Sequence, residues 1–234
     1  MRYNVITVAN ENYKDFLKLF ANSLFENVDM QFVNKVYVFD TGLSKETRNY
    51  INLFPGFELI DTKMSIDSKK IHDAGWAKNT YSKTKFLKQI LEKDNMPTFM
   101  IDSDCIFIES FDELVDFTKD FAACDRKRQG FSRHIGSFFG ALNVEKSLEF
   151  LDKWINNISL LQKQGELKHC ESPALSKTIS ETNFNVQEIE EVLVSAVFPT
   201  EVSRIIHLKS DYYAITVPER LNLAHAVPYT RRYL

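Results

Sequence analysis

Asp102 and Asp104 stand one residue apart in FMIDSDCIFI (residues 99–108), a run that is otherwise apolar except for Ser103 between them. Removing two carboxylates from water costs several kcal/mol each unless positive charge answers them. Either the stretch surfaces as a solvated turn or the pair holds a cation. Asp and Ser are common turn formers, but turns usually carry Gly or Pro and polar neighbours, whereas FMI and CIFI flank this one. Two acidic side chains at this spacing can converge on one ion, and hard carboxylate oxygens suit Mg²⁺ or Mn²⁺.

The elements that must position this pair alternate along the chain. Asn4 to Ala9 is short and rich in β-branched residues, which predicts a buried strand. Tyr13, Phe16, Leu17, Phe20, Leu24 and Val28 then recur at helical spacing. Val36 to Phe39 reads as a second strand closed by Asp40-Thr41-Gly42, and Ser44 as the cap of a helix running through Ile51. Phe57 to Ile60 is a third strand, residues 77 to 92 a helix, and Thr98 to Ile101 a strand ending at the aspartates. Ile106 to Ile108, Phe121 to Cys124, Phe138 to Leu142 and Ser203 to His207 are further strands. Leu148, Leu151, Trp154, Ile155, Ile158 and Leu161 mark a long amphipathic helix, and Ser172-Pro173 predicts the start of another. Such alternation implies an α/β fold with a mainly parallel sheet covered on both faces, which binds ligands at its strand carboxyl ends. Asp40, Asp102 and Asp104 all fall there.

Composition narrows the classes. The chain has 234 residues, 26% of them charged and 44% hydrophobic, ordinary for one soluble domain spanning 1–234. A net charge of −3 announces no nucleic-acid surface; the basic runs, Arg126-Lys127-Arg128 and Arg231-Arg232, are short. Cys105, Cys124 and Cys170 form no C-x-x-C pair, and the odd count fits a reducing cytoplasm. MRYNVITVAN turns polar too early for a signal peptide or a transmembrane segment. There is no Walker loop, no G-x-G-x-x-G and no G-x-S-x-G, so ATP hydrolysis, dinucleotide redox and serine-esterase chemistry find no support.

An apolar strand running into D-x-D resembles the GT-A nucleotide-sugar glycosyltransferases, the glycogenin-like and bacterial galactosyltransferase-like enzymes. The likeness extends from residue 3 to about 209. Thr7-Val8-Ala9-Asn10 with Tyr13 resembles the first strand and turn, where the nucleobase lies. VYVFDTG is similar to the second strand, ending at Asp40. AKNTYSKTKFLKQIL (77–91) resembles the helix before D-x-D, whose basic residues face the phosphates, with Lys78 and Lys85 as candidates. FAACD (121–125) and SFFGALNVEKSLEFLDKW (137–154) resemble the strands and Trp-bearing helix that follow. ESPALSK loosely matches a D-Q/E-x-x-L element, with Glu171-Ser172 in place of D-Q. RIIHLK resembles the late strand carrying a histidine metal ligand, without the Gly and Pro of H-x-x-G-x-x-K-P.

The resemblance implies a metal-dependent glycosyltransferase that takes a nucleotide-diphosphate sugar, a UDP-sugar first, to a glycan, lipid-linked or protein acceptor. The donor would occupy the half up to about residue 108, and the acceptor the half from 109. Asp102, Asp104 and His207 are the implied metal ligands, with Asp102 also a candidate for the ribose; an imidazole beside carboxylates favours Mn²⁺ over Mg²⁺. Thr7, Ala9, Tyr13, Asp40, Lys78, Lys85, Ser103 and Lys209 are the candidates for the donor nucleotide. Tyr13 also fits the apolar stripe of its helix. Glu171 is the acid to test as a base, and Asp125 its rival. Trp76 could cover a sugar or pack in the core, while His72, His134, His169 and His225 have no comparable context. Two alternatives stay open: a haloacid-dehalogenase-like phosphatase using Asp102 as nucleophile, although that family carries its motif after the first strand, and a non-catalytic module that binds a nucleotide sugar.

Overall fold

The computed structural model describes residues 1–64, 74–127, 132–165, 170–196 and 199–208. Lys209, Arg128, Arg231, Arg232, His72, His169 and His225 lie outside them, as does the side chain of Trp76. The strands are β1 (Tyr3–Ala9), β2 (Val33–Asp40), β3 (Phe57–Asp61), β4 (Thr98–Ile101), β5 (Cys105–Phe107), β6 (Phe121–Asp125), β7 (His134–Ala141), β8 (Val186–Glu190) and β9 (Ile205–His207). The helices are α1 (Lys14–Asn27), α2 (Lys45–Ile51), α3 (Ala74–Asp94), α4 (Val144–Lys163), α5 (Glu171–Ser180) and α6 (Glu191–Val194).

A seven-stranded sheet runs in the order β3-β2-β1-β4-β7-β6-β8. Every pairing is parallel except those of β7, which runs antiparallel to β4 and β6. The carboxyl ends of β1, β2, β4, β6 and β8 therefore share one edge with the amino end of β7. Alternation along the strands sorts side chains to two cores. Tyr3 and Val5 of β1 join Phe20 and Leu24 of α1, while Ile6 joins Leu87 and Ile90 of α3 and Trp154 of α4. Both faces are covered, which is why β4 reads as an unbroken apolar run.

Local signals set several boundaries. Ser44 caps α2, its hydroxyl accepting the Thr47 N–H at 3.2 Å, a bond of the kind that contributes about 1 kcal/mol. Asn143 does the same for α4 toward Lys146. At α5 the expected cap is corrected. The helix opens at Glu171, after Cys170, and Ser172 turns its hydroxyl to the Gly136 N–H of β7. Pro173 still sits in the first turn, where its missing N–H costs nothing. Strand β7 also begins at His134, four residues before the expected Phe138.

Beyond β4 the chain folds back on itself. Strand β5 pairs antiparallel with β9, opposing Cys105 to His207. The Leu208 N–H donates to the Asp104 carbonyl at 2.9 Å. This small ribbon packs Ile106, Ile206 and Leu208 against Phe16 and Leu19 of α1, and it carries a histidine to the two aspartates from a hundred residues away. Among the described residues no helix is long and apolar enough to cross a membrane.

Candidate active site

Asp102 leaves β4 at the shared edge, its N–H donating to the Ser137 carbonyl of β7 at 3.0 Å. Its carboxylate meets the Lys83 ammonium at 2.5 Å. Lys83 projects from α3 into the interior, and its Nζ also reaches the Glu171 carboxylate at 2.9 Å and donates to the Gly136 carbonyl at 3.2 Å. Three acceptors thus meet the three N–H bonds of a buried ammonium. Burial alone would lower the lysine pKa; Asp102 and Glu171 overrule it and hold it well above the usual range.

Gly136 is what lets Glu171 come so close. A Cβ at this position would lie 2.6 Å from the Glu171 carboxylate carbon, inside any real contact distance. The sheet backbone therefore forms one wall of the Glu171 pocket, and only glycine leaves room for it.

On the other side of Asp102 stands the ribbon. His207 Nε2 lies 3.2 Å from Asp104 Oδ1 and 3.9 Å from Asp102 Oδ2. Its Nδ1 faces the Ser195 hydroxyl at 3.0 Å, and Ser195 faces the Ser137 hydroxyl at 2.6 Å. Asp104, His207, Ser137 and Ser195 are all buried. Among the described residues, Asp102 and Glu171 meet the Lys83 ammonium, while Asp104 meets the His207 imidazole.

Ligand atoms about 2.1 Å from one ion in octahedral array stand ~3.0 Å apart when adjacent, close to the 3.2 Å between Nε2 and Asp104 Oδ1. Asp104 and His207 are thus spaced as two ligands of one hard divalent cation would be, with Asp102 farther off at 3.9 Å. Ligand atoms of Asp104, Cys105 and His207 also lie within 4.8 Å of one another. Burial and neighbouring Asp102 push the Cys105 thiol well above its usual pKa, so it stays protonated and suits a hard ion poorly.

The remaining candidates occupy other places. Thr7 and Ala9 are buried in β1, and the Ala9 carbonyl accepts the N–H and hydroxyl of Thr41. Asp40 closes the turn after β2, accepting the N–H groups of Gly42 and Leu43 and pairing with Arg48. Tyr13 packs its ring 5.7 Å from Phe16, beside the ribbon. Ser103 is buried between the aspartates. Lys78 and Lys85 are on the exposed side of α3, away from the buried face that carries Lys83. Asp125 ends β6 on the same edge but is gripped at both oxygens by Arg133, at 3.0 Å each. The structure thus gathers Asp102, Asp104, Glu171 and His207, and leaves Asp125, Asp40, Lys78 and Lys85 outside that cluster.

No protein-family model matches the sequence, and no curated protein matches it. Solved structures do match. Two are of the galactosyltransferase LgtC, one an active-site mutant and one a complex with donor and acceptor sugar analogues; each has a TM-score of 0.62 at 13% identity, over 99% of this chain and 100% of that one. A third is the bifunctional glycosyltransferase WbbM in its apo form, with a TM-score of 0.62 at 11% identity, over 99% of this chain and 51% of that one. The fold is the GT-A fold. In GT-A terms, the two aspartates sit on the connection that leaves β4, at the carboxyl edge of the sheet. Lys83, Gly136, Ser137 and Ser195 join them there without having been singled out in the sequence.

Proposed function

We propose that this chain is a GT-A glycosyltransferase that moves a sugar from a nucleotide-diphosphate sugar, a UDP-sugar first, to a glycan, lipid-linked or protein hydroxyl, with Mn²⁺ or Mg²⁺ bound at Asp102, Asp104 and His207. The observation that carries this reading is the meeting of Asp102, Asp104 and His207 at the carboxyl edge of a GT-A sheet. Carboxylates repel a diphosphate on their own, and a divalent cation between them would join the two. That a neighbour of the same fold was solved with donor and acceptor sugar analogues supports the substrate class. The phosphatase alternative loses ground, since its motif belongs after a first strand and Asp102 follows the fourth.

When bound, the cation supplies charge that stabilises the departing diphosphate. The chain's own residues do the rest. Asp102 and Asp104 hold the ion through ionised oxygens, and His207 offers Nε2. Lys83 fixes Asp102 and Glu171 in place, so that little reorganisation is left for the moment of reaction. Glu171 is held between Lys83 and the Gly136 backbone, at the start of α5. A base at that position could take the acceptor proton.

A thermal-stability series tests the reading. UDP with Mn²⁺ should raise the melting temperature, and UDP with excess EDTA should not. Ligand at ~100 times Kd would add about 2.7 kcal/mol. Asp104→Asn should abolish both the Mn²⁺-dependent shift and sugar transfer without unfolding the protein. Equal stabilisation by UDP in EDTA overturns the metal-bridged donor.

A further inference from the structure

Beyond the ligands themselves, β7 has an organising role that reaches His207 through two hydroxyls. Ser137 uses its carbonyl to fix the Asp102 backbone, at 3.0 Å, and its hydroxyl to meet Ser195, at 2.6 Å. Ser195 in turn meets Nδ1 of His207, at 3.0 Å. It sits just past α6, where its N–H donates to the Glu191 carbonyl at 2.9 Å. The next residue, Ala196, bridges to β9: its N–H donates to the Ile205 carbonyl and its carbonyl accepts the His207 N–H. Backbone and side chain of this segment thus clamp the same histidine. Ser195 is fully buried and Ser137 is 1% exposed, so bulk solvent does not supply their partners.

We propose that Ser195, backed by Ser137, is a positioning residue that holds His207 as the Nδ1–H tautomer, with the Nε2 lone pair aimed between Asp102 and Asp104. The inference rests on the metal site proposed above. Nε2 faces carboxylate oxygens, so it can serve a cation only if the ring proton sits on Nδ1. A hydroxyl at 3.0 Å can accept a hydrogen bond from that N–H and donate its own O–H to Ser137. A histidine bound to a metal characteristically anchors its other nitrogen in this way, and losing such an anchor typically costs 10- to 100-fold in metal affinity. Here the anchor is supplied by two hydroxyls from separate elements rather than by a carboxylate. It therefore orients the ring without adding another buried charge beside Asp102 and Asp104.

The test is Mn²⁺ binding to the full chain, read as loss of the free-ion electron paramagnetic resonance signal, with no sugar donor present. Ser195→Ala should weaken Mn²⁺ by about 10- to 100-fold, while Ser195→Thr, which keeps a hydroxyl, should recover most of it. Should the extra methyl of threonine prevent folding, Ser137→Ala provides the second arm. It leaves Ser195 in place without its backing and should weaken Mn²⁺ by a smaller factor. Long-range ¹⁵N correlation spectra, recorded with diamagnetic Mg²⁺, report the tautomer directly. Wild type should show a protonated Nδ1 on His207, and Ser195→Ala a mixture. Wild-type titration and tautomer in both serine variants would overturn the proposal. If wild type itself binds no Mn²⁺, or His207→Ala binds it equally well, the metal reading fails instead, and the two failures are distinct.

Discussion

Two acidic clusters share the carboxyl edge of the sheet, and they are built on opposite principles. Around Asp102 the acids are largely buried and gather on Lys83 and His207. Around Asp125, two strands away, they enter a more exposed network of ion pairs. Arg133 pairs with Asp125 and with Glu188, at 3.0 and 2.5 Å, Arg126 with Glu191 at 3.0 Å, and Lys127 with Glu190. Glu188 also meets His134 Nε2 at 3.0 Å. The second cluster ties the β6–β7 hairpin to β8. The first is the more buried, which strengthens every charge interaction within it. Asp125 is engaged at both oxygens in that structural network, so under the proposed function Glu171, rather than Asp125, is the acid to test for a role on the ligand.

Removing Lys83 should break the comparison most severely. Lys83→Met keeps a side chain of comparable length and deletes the ammonium that bridges Asp102 and Glu171. Loss of one partner from a buried ion pair costs ~3–5 kcal/mol, and chemical denaturation at pH 7 should show a loss of that order. Transfer activity should fall by two or more orders of magnitude, as for a lost electrostatic group. A variant as stable as wild type at pH 8 would show that the carboxylates are hydrated in the folded state.

Most of the frame was legible in the sequence. The ends of β4, the Ser44 cap and the alternation of elements follow from local pattern alone. Strand β8 was not, because Gln187, Glu188 and Glu190 give it the polar look of a loop. An edge strand needs only one buried face, and charge there guards against further pairing. Lys83 was overlooked because lysines were weighed as phosphate ligands, which favoured Lys78 and Lys85. The signal was present all the same. Lys83, Leu87, Ile90 and Leu91 fall on one helical stripe, so a lysine at that phase must be buried and must find carboxylates. Lys78 and Lys85 fall on the opposite phase, with Ser82 and Gln89. No local pattern could supply the Ser195–Ser137 contact, since its members lie 58 residues apart.

A smaller perturbation sharpens the contrast without deleting a charge. In Gly136→Ala the new methyl would collide with the Glu171 carboxylate, at 2.6 Å in the unrelaxed geometry. The atom in the way is the end of a side chain, so Glu171 can swing aside, but doing so stretches its contact with Lys83. Overpacking of this kind costs ~1–3 kcal/mol. Mn²⁺ affinity should change little, because Asp102, Asp104 and His207 are untouched, while transfer activity should drop. Loss of Mn²⁺ binding with preserved transfer would reverse the roles given to Glu171 and the aspartates.

The smallest effect on activity is expected at the Asp125 cluster, where the change should appear in acid stability instead. The side-chain bond from Arg133 first, then the Lys127 N–H, hold the Asp125 carboxyl below its usual pKa against the opposing pull of burial. A depressed folded pKa contributes stability above the unfolded value, near ~3.9, and that contribution is lost as pH falls through the folded value. Asp125→Asn keeps the shape and one acceptor oxygen but discards the ionisable group. The variant should be less stable than wild type at pH 7, and the gap should close as pH falls below ~4. Melting temperatures across pH 2.5–7 would trace the two curves converging. Transfer by Asp125→Asn should stay within a few-fold of wild type, since Arg133 still meets Glu188 and nothing in the Asp102 cluster touches this residue. A hundredfold loss of transfer with an unchanged melting curve would instead make Asp125 the reacting acid. Glu171 would then have no part in the reaction.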